Sequence, residues 1–111
     1  MEHKIVEKSV FARIARWVLK SGNVAMVLGN TIYLSGVKKE DFLQNQPWLA
    51  HELCHIRQFK EYGFWRFLWL YLLESFRRGY YNNKYEIEAR QAGAKAAWAA
   101  KQGIKQNQDL A

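Results

Sequence analysis

One cysteine and one proline stand in a chain of 111 residues. A lone Cys54 cannot close an intramolecular disulfide, which excludes a cystine-stapled scaffold and makes a reducing compartment the expectation. The single Pro47 leaves no proline-rich linker, and no repeat or low-complexity run divides the chain. Long apolar runs are missing too. The most apolar stretch, Phe64 to Leu73, is about half the length of a membrane span and carries Arg66, so it reads as a buried helix. Met1 to Lys8 is charged, and no apolar segment with a small-residue cleavage site follows. No secretory leader is expected, and the expected location is cytoplasmic. Acidic residues are scarce, 10 against 17 Lys and Arg, for a net charge of +7. That sign attracts nucleic acid, anionic lipid or acidic substrates. The excess is spread over Arg13, Arg16, Lys20, Arg66, Arg77, Arg78, Lys95, Lys101 and Lys105 with no nucleic-acid module around it. A solvated surface is expected, and no nucleic-acid partner.

Half of the residues are apolar and 15% are aromatic, enough for the core of one domain over residues 1–111. Val10 to Lys20 reads as an amphipathic helix within an N-terminal region, residues 1–20. Phe11, Ile14 and Val18 form one stripe, joined by Val10 and Trp17, while Arg13, Arg16 and Lys20 face away. Such a helix packs on a core or lies on a membrane surface, and packing is the commoner fate. Ser21-Gly22-Asn23 ends it. Val24–Leu28 and Thr31–Leu34 then alternate as two strands around Gly29-Asn30, a two-residue turn with glycine first, as a type II′ hairpin requires. A polar link from Ser35 to Gln46 leads to a helix over about Pro47–Tyr62 that Gly63 stops, with proline where the first turn tolerates it. Two further helices are expected, about Phe64–Arg78 and about Lys84–Gln102, separated by Gly79 and a polar turn. Residues 103–111 read as a frayed tail. The fold class is α+β, mostly helical, with a short hairpin before the central helix.

That helix contains His51-Glu52-Leu53-Cys54-His55, an H-E-x-x-H motif. Residues i and i+4 lie on one helical face about one turn apart. Two imidazoles so placed can grip one Zn²⁺, and the intervening glutamate can address a water on the metal. The flanks Trp48-Leu49-Ala50 and Ile56 are apolar, so the helix is expected to be buried, and buried His and Glu need partners. Cys54 lies about 100° round the helix from His55 and reads as a small core residue. A catalytic zinc takes three protein ligands and an open position. His3 sits at a charged terminus, and Glu61 and Glu74 sit near helix ends where solvation is expected. Glu86 and Glu88 begin the last helix about 200° apart, so only one of them can face the motif.

Gly79-Tyr80-Tyr81-Asn82-Asn83-Lys84-Tyr85-Glu86-Ile87-Glu88-Ala89 resembles the G-Y-x-x-N-P-x-E-x-E-A segment of small gluzincin-type peptidases, single-domain relatives of thermolysin-like enzymes also called minigluzincins. Asn30 to Leu34 is similar to their strand before the motif, and Pro47 to Gly63 to their motif helix with its trailing Gln58. The resemblance runs over about Val24–Gly93. It implies a zincin-like fold with a glutamate helix, one Zn²⁺ per chain held by His51, His55 and Glu86, and Glu88 in a supporting or solvent-facing place. It further implies hydrolysis of a peptide or protein substrate, with Glu52 as general base. Tyr80 matches the family's tyrosine, whose phenol would meet the oxyanion; a merely packed aromatic is the other reading of Tyr80. Gluzincins hold substrate by strand addition, which would make Thr31–Leu34 an open sheet edge; a strand that only covers the core is the alternative. Two positions depart from the family: Lys84 replaces a proline, and Arg90 replaces an aspartate that orients a ligand histidine. Support for the ligands is then expected from Asn82, Asn83 or backbone carbonyls. Beside an active zinc endopeptidase stand a latent zinc-binding module or adaptor, a structural helical domain, and a membrane-peripheral peptidase that uses the basic N-terminal helix.

Overall fold

A computed structural model describes residues 3–103, without the side chains of Val18 and Leu19. The expected frayed tail therefore lies, past Gly103, outside the described residues. The elements are β1 (Lys4–Val6), α1 (Val10–Leu19), β2 (Val24–Leu28), β3 (Thr31–Ser35), α2 (Lys39–Gln44), α3 (Gln46–Tyr62), α4 (Phe64–Asn82) and α5 (Lys84–Lys101). This is the α+β order expected, with two additions. β1 arises within the charged N-terminal stretch, and α2 interrupts the link that reads as merely polar.

The sheet order is β1-β3-β2. β2 and β3 form the antiparallel hairpin, with Leu28 opposite Thr31 and Val24 opposite Ser35. Between them Gly29 has φ 66°, the left-handed first position that the hairpin turn needs. β1 lies parallel to β3, with Ile5 opposite Ile32. β3 is consequently the central strand, which corrects the expectation that Thr31–Leu34 is an open edge; the edges are β1 and β2. Alternation along β3 divides the two faces of the sheet. Ile32 and Leu34 point toward α2 and α3 and form the core with Phe42 and Ile56. Tyr33 and Ser35 point toward α1, where Phe11 meets the Tyr33 ring edge-on and Arg16 donates to Ser35 Oγ at 3.4 Å.

α1 is capped by Ser9, whose hydroxyl accepts from Ala12 N at 3.3 Å. It packs through Ala12, which is fully buried, and leaves Val10, Phe11, Ile14 and Trp17 exposed. Its apolar stripe thus faces solvent and its small residues face the sheet. α4 likewise corrects the reading of a buried helix: Phe67 alone is buried among its residues, while Trp65, Trp69, Leu72, Leu73 and Phe76 are exposed. Its helical path is broken at Gly79 (φ 79°, ψ 165°), where the sequence places a stop. α5 lies against α3 through Ala89, Gly93 and Ala96. At Gly93 a Cβ would come 2.9 Å from Pro47 O, so glycine permits the close approach.

Candidate metal centre

His51 and His55 project from the same face of α3, with ring centroids 5.2 Å apart. Asn45 caps that helix by accepting from Trp48 N at 3.1 Å, and Pro47 occupies its first turn. Glu86 reaches them from the first turn of α5. The start of α5 is fixed by Asn83, which is fully buried. Its Oδ1 accepts from Tyr85 N at 2.8 Å, and its Nδ2 donates to Tyr71 O at 3.1 Å and Ser75 Oγ at 2.8 Å. Helix cap and interhelical tie are therefore one side chain. Lys84, where the resembled segment has a proline, uses the N–H a proline lacks: it donates to Glu74 Oε2 at 3.2 Å. Glu74 is only 12% exposed in its side chain, not solvated as its place near a helix end suggests.

The two Glu86 oxygens each face one imidazole: Oε1 lies 3.1 Å from His51 Nε2 and Oε2 lies 3.2 Å from His55 Nε2. The donor atoms of His51, His55 and Glu86 all fall within 4.8 Å of one another. Glu88 points elsewhere. Its Oε1 accepts from Gln58 Nε2 at 2.6 Å, and Gln58 Nε2 also donates to Tyr85 O at 3.2 Å. With its amide nitrogen committed to two acceptors, Gln58 turns its Oε1 to His55 Nδ1 at 2.9 Å. A carbonyl oxygen only accepts, so His55 carries its hydrogen on Nδ1. The Nε2 lone pair of neutral His55 is then left facing a carboxylate. Two acceptors face each other there, and only a proton or a cation between them satisfies both. Two imidazole nitrogens and a carboxylate oxygen are donors that suit a divalent transition ion, zinc among them. The residues fit a metal.

Charge in the site follows the same geometry. Burial pushes Glu86 upward, but its hydrogen bonds with His51 and His55 outweigh that and hold it well below the usual carboxylate range. His55 is lowered by burial and lifted above its ordinary value by Glu86 and Glu52. Tyr71 donates to Glu86 Oε2, and burial and that carboxylate together push its phenol far upward. Glu52 lies beside the cluster, 6% exposed. Burial raises its carboxyl to about 7 against the opposing pull of His55 and His51.

The cluster opens into a cleft of about 290 Å³. Ala15 of α1, the whole of β2, and Leu68 and Leu72 of α4 form its walls, and Tyr80 reaches into it beside Glu52. Burial first, then Glu86 and Glu52, raise the Tyr80 phenol to about 12. His51, Glu52, His55, Glu86 and Tyr80 all line this one cleft. His3 stands outside the cluster, and Cys54 is a buried thiol with Arg57 Nη2 at 3.4 Å. The side chains that touch the three donors from outside are Gln58 and Tyr71, and Asn83, one of the supports expected, acts by holding the start of α5. Arg90 holds the Tyr81 ring at 4.2 Å and donates to Tyr81 O. Gln58 was visible in the sequence only as the glutamine trailing the motif by one residue triplet; Tyr71, in an apolar run, gave no signal.

No family model, curated protein or solved structure matches the chain. No helix among the described residues is long and apolar enough to cross a membrane.

Proposed function

We propose that the chain is a zinc-dependent hydrolase of peptide bonds, with a gluzincin-like donor set of His51, His55 and Glu86. The observation that carries this is the convergence of three donors with a fourth, buried carboxyl, Glu52, in one open cleft. A Zn²⁺ held there supplies Lewis acidity, lowering the pKa of a ligated water and polarising a carbonyl.

The rest is the work of the chain's own residues. Glu52, a buried carboxyl beside the three donors, is placed to take a proton from water and return it to a leaving amine. Tyr80 keeps its phenolic hydrogen at neutral pH and can donate it to a developing oxyanion. Gln58 holds His55 in the Nδ1–H form, and Tyr71 fixes one oxygen of Glu86. The open edge of β2 runs along the cleft wall with free backbone groups on alternate residues, a template for an extended peptide. Strand addition is therefore assigned to β2 in place of β3.

Hydrolysis of a peptide library by zinc-loaded protein tests the reading, with metal content measured on the same samples. Wild type is expected to cleave. Glu52→Gln is expected to keep its zinc and lose at least about a hundredfold in rate. Zinc retention with no hydrolysis by wild type would leave a zinc-binding module, and full activity in Glu52→Gln would remove the general-base role.

A further inference from the structure

We infer that the exposed apolar stripes of α1 and α4 dock this chain on an anionic lipid bilayer. Two exposed stripes carry the inference: Phe11, Ile14 and Trp17 on α1, and Trp65, Trp69 and Phe76 on α4. Trp17 is 81% exposed and Phe76 90%. A monomeric protein rarely leaves so many large apolar side chains exposed without a use for them. Each stripe comes next to the cleft along one side, and Ile14 and Trp17 lie further round α1, over a separate hollow with Arg13, Arg16 and Lys20. Ala15, which lines the cleft, lies about 40° round α1 from Phe11. Leu72 lines the cleft and is itself exposed on α4, about 20° round the helix from Trp65.

Charge selects the occupant. Arg13 and Lys20 flank the α1 stripe, Arg66 and Arg77 flank the α4 stripe, and all four are exposed. α1 carries no acidic residue, and Glu74 of α4 is engaged by Arg78 and the Lys84 amide. Aromatic rings ringed by cations match the boundary between acyl chains and anionic headgroups, where Trp and Phe settle about 5–10 Å deep. A second copy of the chain, laid stripe to stripe, would set these arginines and lysines against their own kind. Docking in this way lays the two stripes on the bilayer surface. It depends on the placement of the stripes alone, whatever chemistry the cleft performs.

Vesicle flotation of the full chain tests this, using phosphatidylcholine alone and phosphatidylcholine mixed with phosphatidylglycerol. The chain is expected to float with the anionic vesicles, to shift its tryptophan emission to the blue on binding, and to come off in high salt. Trp69→Glu combined with Phe76→Glu removes no core contact and is expected to lower partitioning about tenfold or more, with an unchanged circular-dichroism spectrum. Arg13→Gln with Lys20→Gln is expected to weaken binding to the anionic vesicles only. Failure of the wild type to float at low salt would overturn the inference, as would equal flotation of the glutamate variant. Self-association without flotation, abolished by the same glutamates, would assign the stripes to a second copy and overturn it as well.

Discussion

Gln58 decides whether His55 is a ligand or only a buried histidine. Its amide is held by Tyr85 O and Glu88, which leaves one orientation for its oxygen and one tautomer for the imidazole. Replacing it with leucine keeps the volume and deletes the relay. Gln58→Leu is expected to weaken zinc binding by about 10–100-fold, measured by competition with a chromophoric chelator, because such supporting partners hold ligand orientation and basicity. Unchanged affinity would mean that packing alone orients His55. At this scale the sequence was legible where chemistry is local. His51 and His55 share a face because four residues make about one helical turn. The choice of Glu86 over Glu88 needed the resemblance, since helical geometry only said that one of them must turn away. Tyr71 and Glu74 were illegible because their partners lie 15 and 10 residues on, across the bend at Gly79.

Among the elements, the contact of α3 with α5 matters most, since it alone carries Glu86 to the two histidines. Small residues make that contact possible: Ala89, Gly93 and Ala96 sit three, seven and ten residues after Glu86, one stripe of the helix. A Cβ at Gly93 would lie 2.9 Å from Pro47 O and 3.8 Å from His51 Cβ, so α5 would have to move off. Gly93→Ala is expected to lower stability by about 1–3 kcal/mol in urea unfolding, despite the better helix propensity of alanine. The same displacement is expected to weaken zinc binding. A more stable variant with intact binding would show that the helices have slack there. The hairpin and the three long helices were readable from alternation, helical spacing and glycine stops. β1 was not, because three residues in a charged stretch become a strand only by parallel pairing with β3, a contact more than twenty residues away. That hidden strand is why the edge of the sheet was assigned to β3 and not to β2.

For the molecule as a whole, the sequence showed which helical faces are apolar but not what covers them. Helical periodicity reports a stripe; whether a neighbour exists to bury it depends on the packing of every other element. α1 settles on the sheet by its small side, and α4 keeps only the face with Phe67, Tyr71 and Ser75 inward. The aromatics left outside, with Arg13, Lys20, Arg66 and Arg77 beside them, give this small domain a greasy and cationic surface, and the cleft gathers His51, His55, Glu52 and Glu86 on its floor. The floor is the centre of the account, because everything proposed for the cleft requires that it hold a metal. The most direct measurement is the metal content of the chelator-stripped, zinc-reloaded protein by elemental mass spectrometry, on wild type and Glu86→Ala together. About one zinc per wild-type chain is expected, largely lost in Glu86→Ala. A wild type that takes up no zinc, or a variant that retains all of it, would contradict the site described for His51, His55 and Glu86.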